Sequence, residues 1–321
     1  MKCLLQHHHS IILEGLKLLE ELGMISDILY SDICSLRTSS NIKDNMDELN
    51  QNRLENVVNN PFKFGLEVVK YLDKSLNILT MYIGNSLVND RWVLEAKKLI
   101  GRIEIDITTK VRKNLSKQMN GLYVIIDSTQ TRNRSIEKVT REALIGGASV
   151  IQLRDKVLDK GELLIAAKKI QLLCRQYNAL FIVNDHADLA KIVGSDGLHL
   201  GQNDLPIDEA RQLIANTQLI GTSNATVEEA LVGESYGADY LAVGSIFPTT
   251  TKKNTRPSSI EVIKKLKETS TLPVVAIGGI NEDNIKKVVH SGADCVCVIT
   301  AVTLADNPAK AASNLITLMS I

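Results

Sequence analysis

The feature that most constrains the fold is a regular alternation of two kinds of segment that begins after Gly121. Short β-branched segments alternate there with amphipathic helical segments as far as the C-terminus. The run Phe181-Ile182-Val183 is apolar at consecutive positions, which is typical of a parallel strand covered by helices. Eight such units in about 200 residues predict one (β/α)8 TIM barrel over residues 120–321. The predicted strands are 122–127, 149–154, 180–185, 197–201, 218–224, 240–246, 273–279 and 295–300.

A doubly wound parallel sheet is the alternative α/β fold. It usually needs fewer units and carries a dinucleotide fingerprint after its first strand. No G-x-G-x-x-G follows the first predicted strand here, so the pattern favours the barrel. The predicted helices of this part are 135–144, 161–177, 207–215, 227–236, 258–269 and 282–290.

The first third of the chain has a different, helical pattern. Apolar residues recur there at spacings of three and four, as at Leu66, Val69 and Leu72, and glycine is sparse. Residues 38–60 are rich in Asn, Asp and Glu and predict a loop or weak helix, after which Pro61 is placed to begin a helix. We expect a small all-α domain over residues 1–115.

The composition excludes several classes of protein. The 37 basic residues balance the 37 acidic ones, which argues against a dedicated nucleic-acid binder. Charged residues interrupt every apolar run near the N-terminus, so neither a membrane span nor a signal peptide is expected. The five cysteines are scattered without a C-x-x-C pair, so we expect no disulfide scaffold or zinc site and a cytoplasmic location.

Barrel enzymes carry their chemistry at the carboxyl ends of the strands. The second predicted strand ends with Gln152, Arg154 and Lys156, which alternation directs the same way, toward the mouth. One amide and two cations suit a polar anion. The alternative is a charged strand end that faces water.

Two carboxylates follow the next strand ends. Asp185 comes after Asn184 at the end of the third strand, and Asp204 lies in the loop after the fourth. Mg²⁺ is commonly held by one or two carboxylates together with substrate phosphate oxygens and water, so this pair predicts a Mg²⁺ site. As an alternative, each aspartate would cap the helix that follows it.

The last three strand ends predict a second anion site. Hydroxyl and ammonium groups follow the sixth strand, Gly278 and Gly279 end the seventh, and Thr300 ends the eighth. Backbone N–H groups after strands seven and eight form the phosphate site that recurs in this fold. The mouth thus has places for two phosphorylated groups, a diphosphate with Mg²⁺ near strands two to four and a monophosphate near strands six to eight.

From Gly121 to the C-terminus the chain resembles the thiamine phosphate synthase family. Six ordered motifs carry the resemblance: residues 152–156, 184–185, 196–204, 220–223, 244–252 and 276–280. They read QLRDK, ND, DGLHLGQND, IGTS, GSIFPTTTK and AIGGI.

The resemblance implies a transferase that acts on two small molecules. It would join 4-amino-5-hydroxymethyl-2-methylpyrimidine diphosphate to a thiazole phosphate, or to its carboxylated form, and release diphosphate. The implied roles are Mg²⁺ ligation by Asp185 and Asp204, diphosphate binding by Arg154, Lys156, Asn184, Ser223 and Lys252, a pyrimidine contact by Gln152, and thiazole phosphate binding by Thr249, Thr251, Gly279, Ile299 and Thr300. Arg154, Lys156, Ser223 and Lys252 are the implied catalytic residues.

The sequence departs from the family pattern at two places. Asn224 and Ala225 follow Ser223 where the family often has a nearby histidine, and Thr300 stands where serine is common. Both changes keep polar groups, so we expect altered affinity with retained activity. We interpret His186 and His199 as structural or supporting groups and not as bases.

Three questions remain open at this level. A thiazole tautomerase-like barrel would not need the paired aspartates, and a non-catalytic phosphate-binding scaffold would not need the charge cluster. Residues 60–74 and 95–111 distantly resemble the helical domain fused ahead of some family members, which is associated in some fusions with pyrimidine phosphate kinase activity. Because no nucleotide loop is found, the sequence supports a packing or homo-oligomerisation module at residues 1–115 at least as well as a kinase-like domain.

Overall fold

The computed structural model describes residues 2–21, 23–25, 29, 31–34, 36, 61–83, 91–249 and 256–320. The polar stretch 38–60 and the predicted site residues Thr251 and Lys252 lie outside these ranges. The chain divides into two compact units, Met1–Val111 and Arg112–Ile321. The division falls inside one long helix.

The described residues of the first unit are helical except for 23–25, which form a turn. Its helices are α1 (Lys2–Glu21), α2 (Pro61–Ile83) and α3 (Arg91–Ser116). Apolar residues that recur at helical spacing form its core: Leu16, Leu72 and Ile103 are fully buried in one apolar cluster. Helix α2 begins at Pro61. Proline suits this position because the N–H that it lacks would have no partner within the first turn of a helix.

The second unit is a closed barrel of eight parallel strands, so the predicted fold is confirmed. The strands are β1 (Gly121–Ile126), β2 (Val150–Leu153), β3 (Leu180–Asn184), β4 (Gly197–Leu200), β5 (Leu219–Asn224), β6 (Tyr240–Val243), β7 (Val274–Ile277) and β8 (Cys295–Val298). Each strand pairs with its neighbour in sequence, and β1 pairs with β8. A doubly wound sheet is therefore excluded.

Helices follow the strands around the barrel. They are α4 (Ile136–Ile145), α5 (Lys160–Gln176), α6 (Ala187–Val193), α7 (Ile207–Leu213), α8 (Val227–Ser235), α9 (Ile260–Thr269), α10 (Ile285–Val289), α11 (Thr300–Thr303) and α12 (Pro308–Met319). Helices α6, α11 and α12 lie outside the predicted ranges given above, although the capping alternative for Asp185 expects a helix at α6. Several helices start at side-chain caps, such as the capping box of Asp159 and Glu162 at α5. No described helix has both the length and the apolar content to cross a membrane.

The barrel unit has two apolar layers separated by the strands. One lies between the strands and the helices, and Leu122, Phe181 and Leu241 belong to it. The other fills the barrel interior and includes Tyr123 and Tyr240, both fully buried. Since side chains alternate along a strand, every strand except β4 contributes apolar residues to both layers.

A repeated Gly-x-Asp or Gly-x-Ser pattern marks the entry into every even-numbered strand. The glycines have positive φ, a conformation that suits glycine at a helix end, and the polar residue follows two positions later. The four instances are Gly147 with Ser149, Gly194 with Asp196, Gly237 with Asp239, and Gly292 with Asp294. The pattern ends one helix and positions the next strand.

The three aspartates of this pattern fix the preceding odd-numbered strand. Asp196 accepts a hydrogen bond from the backbone N–H of Phe181 in β3, at 2.8 Å. In the same way, Asp239 accepts from the backbone N–H of Ile220 in β5 and Asp294 from that of Val274 in β7, at 2.8 Å each. Buried strand ends thereby obtain an acceptor at the amino-terminal face of the barrel.

Asp239 has a second function in the same place. Its carboxylate also accepts hydrogen bonds from Arg112 at 3.1 Å and Arg211 at 2.6 Å, and all three side chains are largely shielded from solvent. Removing this carboxylate would therefore take an ion-pair partner from both guanidinium groups.

We predict that Asp239→Asn lowers the free energy of unfolding of the barrel unit by about 2 kcal/mol, because asparagine keeps an acceptor for Ile220 but removes the anion that two shielded cations share. The measurement is urea unfolding followed by far-ultraviolet circular dichroism. Asp306→Asn is the control, since Asp306 forms an ion pair with Arg132 but is 95% exposed, and it should change the free energy by less than about 0.5 kcal/mol. Equal effects of the two substitutions would contradict the assignment.

Candidate active site

The ends of β3 and β4 bring two carboxylates together. Asp185 follows β3 and Asp204 lies in the loop after β4, and their carboxyl groups are close enough for each to shift the pKa of the other. Asp185 has a positive φ of 60°, and its N–H donates to the backbone oxygen of His199 at 2.9 Å. Asp204 accepts from the N–H of Gly201 at 2.7 Å. The backbone thus holds both carboxylates at one edge of the barrel.

Neither carboxylate is the N-cap of the helix that follows it. The N-cap of α6 is His186 and that of α7 is Pro206, and neither makes a side-chain cap. The capping interpretation therefore does not explain these residues.

The contact between the carboxylates affects their protonation. Burial, together with the nearby carboxylate of Asp185, raises the pKa of Asp204. Burial also acts to raise the pKa of Asp185, but the interactions with the Asp204 carboxyl group and the ammonium group of Lys156 outweigh it and lower that pKa. Two carboxylates in contact are stable only with a shared proton or a shared cation.

The donor set fits a hard divalent cation. Carboxylate oxygens are the ligands that Mg²⁺ prefers, and it usually keeps positions for phosphate and water. Within the described ranges no group of three or more His, Cys, Asp or Glu side chains could hold a metal. The described residues therefore supply two carboxylates, and the other ligands of a bound ion would be substrate oxygens and water.

The two cations after β2 lie on opposite sides. Lys156 forms an ion pair with Asp185, toward β3. Arg154 donates to Asp127 at 3.2 Å, toward β1. Strand β2 ends at Leu153, so the alternation predicted for these side chains does not extend to them. The two side chains thus contact residues after different neighbouring strands, and their shared direction toward the mouth stays a prediction.

Asp127 is a rim residue that the sequence analysis missed. It is buried and directly follows β1, and it also accepts from the N–H and hydroxyl of Thr129 at 2.9 and 2.6 Å. These bonds fix its carboxylate, which in turn fixes the guanidinium of Arg154. Its position directly after a strand is the signal that would have identified it.

Gln152 lies below the rim, inside the barrel. Its side chain is 2% exposed, and its amide nitrogen donates to the hydroxyl of Tyr123 at 2.7 Å. Ser223, in β5, is within 2.9 Å of the Nε2 atom of His199. The backbone oxygen of Ser223 accepts from Gln202 in the loop after β4 at 2.7 Å. Asn184 is buried at the last position of β3.

Asn224 does not contribute to this side of the barrel. Its side chain is 1% exposed and donates to the backbone oxygens of Thr222 and Ala242 at 2.9 and 3.3 Å. The departure from the family pattern at this position is therefore a feature of the packing behind β5.

The ends of β6 and β7 pack backbone against backbone. The N–H groups of Ile246 and Phe247 donate at 3.0 Å to the oxygens of Ile277 and Gly278. A Cβ atom on Gly278 would lie 2.2 Å from the Ser245 hydroxyl, and one on Gly279 would lie 2.5 Å from the Pro248 oxygen. This close packing by itself requires both glycines, so glycine at 278 and 279 is not separate evidence for a phosphate.

The remaining predicted residues follow the sixth and eighth strands. Thr249 is the last described residue before a gap that contains Thr251 and Lys252. Ile299 is the N-cap of the short helix α11, and Thr300 is its first residue. The structure thus pairs Lys156 with Asp185, places Asp204 near Asp185, and gives Arg154 and Ser223 other partners.

Comparison with known proteins agrees with this geometry. The profile of the family described as thiamine monophosphate synthase matches residues 122–302. Thiamine-phosphate synthase of Clostridium tetani is 39% identical over 194 residues, which are 60% of this chain and 93% of that protein. The Methanospirillum hungatei enzyme of the same name is 44% identical over 200 residues, 62% of this chain and 97% of that protein.

A solved structure extends the comparison. Thiamine phosphate pyrophosphorylase from Pyrococcus furiosus has 40% sequence identity and a TM-score of 0.59, and the match covers 64% of this chain and 98% of that one. A match over more than half of this chain, and over nearly all of each relative, confirms the resemblance that the strand-end motifs indicate. The chain belongs to the thiamine monophosphate synthase family.

Proposed function

We propose that this chain forms thiamine phosphate by joining the methylene carbon of an aminopyrimidine diphosphate to the ring nitrogen of a thiazole phosphate. The observation that carries the proposal is the contact of Asp185 with both Asp204 and Lys156 at one rim of the barrel. The names of the relatives support the same reaction.

The reaction requires charge stabilisation more than proton transfer. The C–O bond to the diphosphate breaks with its electron pair on the leaving oxygen, and the ring amine stabilises the resulting cation. The thiazole nitrogen then supplies the electron pair of the new C–N bond. Fixed cations and hydrogen-bond donors aimed at the leaving group therefore provide the main catalytic contribution.

The residues of the rim match these requirements. Asp185 and Asp204 would hold Mg²⁺, which would neutralise charge on the leaving diphosphate. An ion bound by the carboxylates would replace Lys156 as the cation beside Asp185, so its ammonium group, which is 56% exposed, is available to a diphosphate oxygen. Arg154 approaches from the other side, in the orientation that Asp127 fixes.

The competing functions explain less of the site. A tautomerase-like barrel has no use for two carboxylates in contact, and a non-catalytic scaffold would carry their repulsion without benefit. We therefore favour the synthase. We also place the reaction in a reducing cytoplasm, since Cys34, Cys174, Cys295 and Cys297 are all free thiols.

The helical unit is not needed to account for the relatives. About 60% of this chain matches nearly their whole length. We propose that residues 1–111 form a packing or homo-oligomerisation module and that the synthase activity resides in the barrel unit.

We predict that Asp185→Asn and Asp204→Asn each lower Mg²⁺-dependent turnover at least about 100-fold, because each removes one anionic ligand of the ion that neutralises the leaving group. The measurement is thiamine phosphate formation from both substrates, with Mg²⁺ titrated. Asp283→Asn, an exposed aspartate of the barrel unit, is the matched control and should leave turnover unchanged. Turnover like that of the unaltered protein in both variants would reject the metal assignment.

A stability measurement separates this loss from misfolding. In a chelator, Asp204→Asn should raise the free energy of unfolding by about 1 kcal/mol, since asparagine still accepts from Gly201 but no longer repels Asp185. Circular dichroism is the appropriate probe, because the one tryptophan, Trp92, lies in the helical unit. A variant that loses both activity and stability would count against the proposed role.

We predict that fragments beginning at Arg112 and at Lys117 both retain turnover within about threefold of the full chain, since the mouth residues all follow Gly121. The second fragment lacks Arg112 and Leu115, which bind Asp239 and pack against the interior cluster. It should unfold at a lower urea concentration. A folded but inactive Arg112 fragment would show that the helical unit contributes to the site.

A further inference from the structure

Five polar side chains form a continuous hydrogen-bond network across the barrel interior. Gln152 donates to the hydroxyl of Tyr123 at 2.7 Å, and this hydroxyl lies 3.5 Å from that of Tyr240. The Tyr240 hydroxyl lies 3.0 Å from Nδ1 of His199, and Nε2 of His199 lies 2.9 Å from the Ser223 hydroxyl. The interior network thus joins β2, β1, β6, β4 and β5.

The chemistry at one end gives this network a direction. The amide nitrogen of Gln152 can only donate, so the Tyr123 hydroxyl accepts there and its single proton is free for Tyr240. Tyr240 then accepts from Tyr123 and has its own proton for the next contact. That contact is with Nδ1 of His199, which accepts this proton when it is the unprotonated nitrogen of the ring.

We propose that Tyr240 is a positioning residue that fixes the Nε2-protonated tautomer of His199 and thereby turns the Ser223 hydroxyl into a donor toward the mouth. With its proton on Nε2, His199 donates to the Ser223 oxygen. The Ser223 proton then points away from the histidine, toward an anionic oxygen of the substrate. The identity of that anion as diphosphate rests on the proposed function, whereas the tautomer does not.

The packing shows that Tyr240 is built into this position. Its ring lies over Gly221 of β5, where a Cβ atom would come within 1.9 Å of the ring. The rings of Tyr240 and His199 are stacked with centroids 5.8 Å apart. Glycine inside a strand often marks such a close approach. Burial raises the pKa of both tyrosines, so both phenols remain proton donors.

The test is a measurement of the His199 tautomer in the full chain without substrate. Long-range ¹H–¹⁵N correlation spectra at about pH 8, where an ordinary imidazole is neutral, distinguish the two ring nitrogens, and loss of the signals in His199→Gln assigns them. We expect the Nε2–H tautomer in the unaltered protein and a mixture of tautomers in Tyr240→Phe. An Nδ1–H tautomer or a doubly protonated ring in the unaltered protein would overturn the proposal, as would an unchanged tautomer in Tyr240→Phe.

Two further variants make the direction of the network testable. Tyr123→Phe removes the partner of Gln152 but leaves the Tyr240 proton for His199, so the tautomer should be retained. Gly221→Ala should displace the Tyr240 ring and reproduce the spectrum of Tyr240→Phe. Tyr236→Phe, at a tyrosine that is 60% exposed, is the control for loss of a hydroxyl. Loss of the tautomer in Tyr123→Phe or its retention in Gly221→Ala would contradict the direction inferred.

Kinetics connect the tautomer with the site. In Tyr240→Phe we expect kcat to fall about tenfold, less than the ~100-fold that loss of a whole oxyanion donor causes, with the KM for the thiazole phosphate unchanged. An altered thiazole KM with an unchanged kcat would overturn the role assigned to Ser223. If the full chain forms no thiamine phosphate but shows the expected tautomers, the proposed function fails and the tautomer assignment stands.

Discussion

Pairing between β1 and β8 is the interaction on which the rest of the barrel unit depends. Four residue pairs, from Gly121 with Cys295 to Val124 with Val298, close the sheet in parallel register. Closure places the carboxyl ends of all eight strands on one rim, so residues far apart in sequence become neighbours. It also creates a buried interior, in which each polar side chain needs a hydrogen-bond partner. The rim cluster of Asp185, Asp204 and Lys156 and the interior network are consequences of the same closure.

The two faces of the barrel use the same residue type in opposite ways. At the amino-terminal face, Asp196, Asp239 and Asp294 each accept a backbone N–H of a neighbouring strand, so their negative charge stabilises the fold. At the carboxyl-terminal face, Asp185 and Asp204 meet each other, and burial with mutual repulsion raises the pKa of Asp204. The first arrangement gives each carboxylate a hydrogen-bond donor. The second violates the expectation that like charges are kept apart. Such a violation is expected at a functional site, where the missing partner is the ligand.

Much of the barrel could be predicted from the sequence because strand signals are local. All eight strands were predicted within a few residues, since β-branched runs bounded by Gly and Asp are a short-range pattern. The ends differ where apolar residues continue past the ladder, as after β6, which ends at Val243 although Ile246 is also buried. The carboxylate pair was predicted as well, because strand ends share one rim. The roles of individual rim residues remain predictions, and those of Thr251 and Lys252 concern residues outside the described ranges.

The interior network was not predicted, and the reason is geometric. Alternation shows which side chains point into a barrel, but their height depends on strand stagger, which the sequence does not display. The sequence therefore shows that Gln152, Tyr123 and Tyr240 point into the barrel, but it does not show that they bond to one another. Gly221 was the available signal, since a glycine within a strand indicates close approach of a large group. Ser223 connects the network to the rim, because its hydroxyl contacts His199 while its backbone oxygen binds Gln202. The polar interior thus takes part in arranging the mouth and not only in filling the barrel.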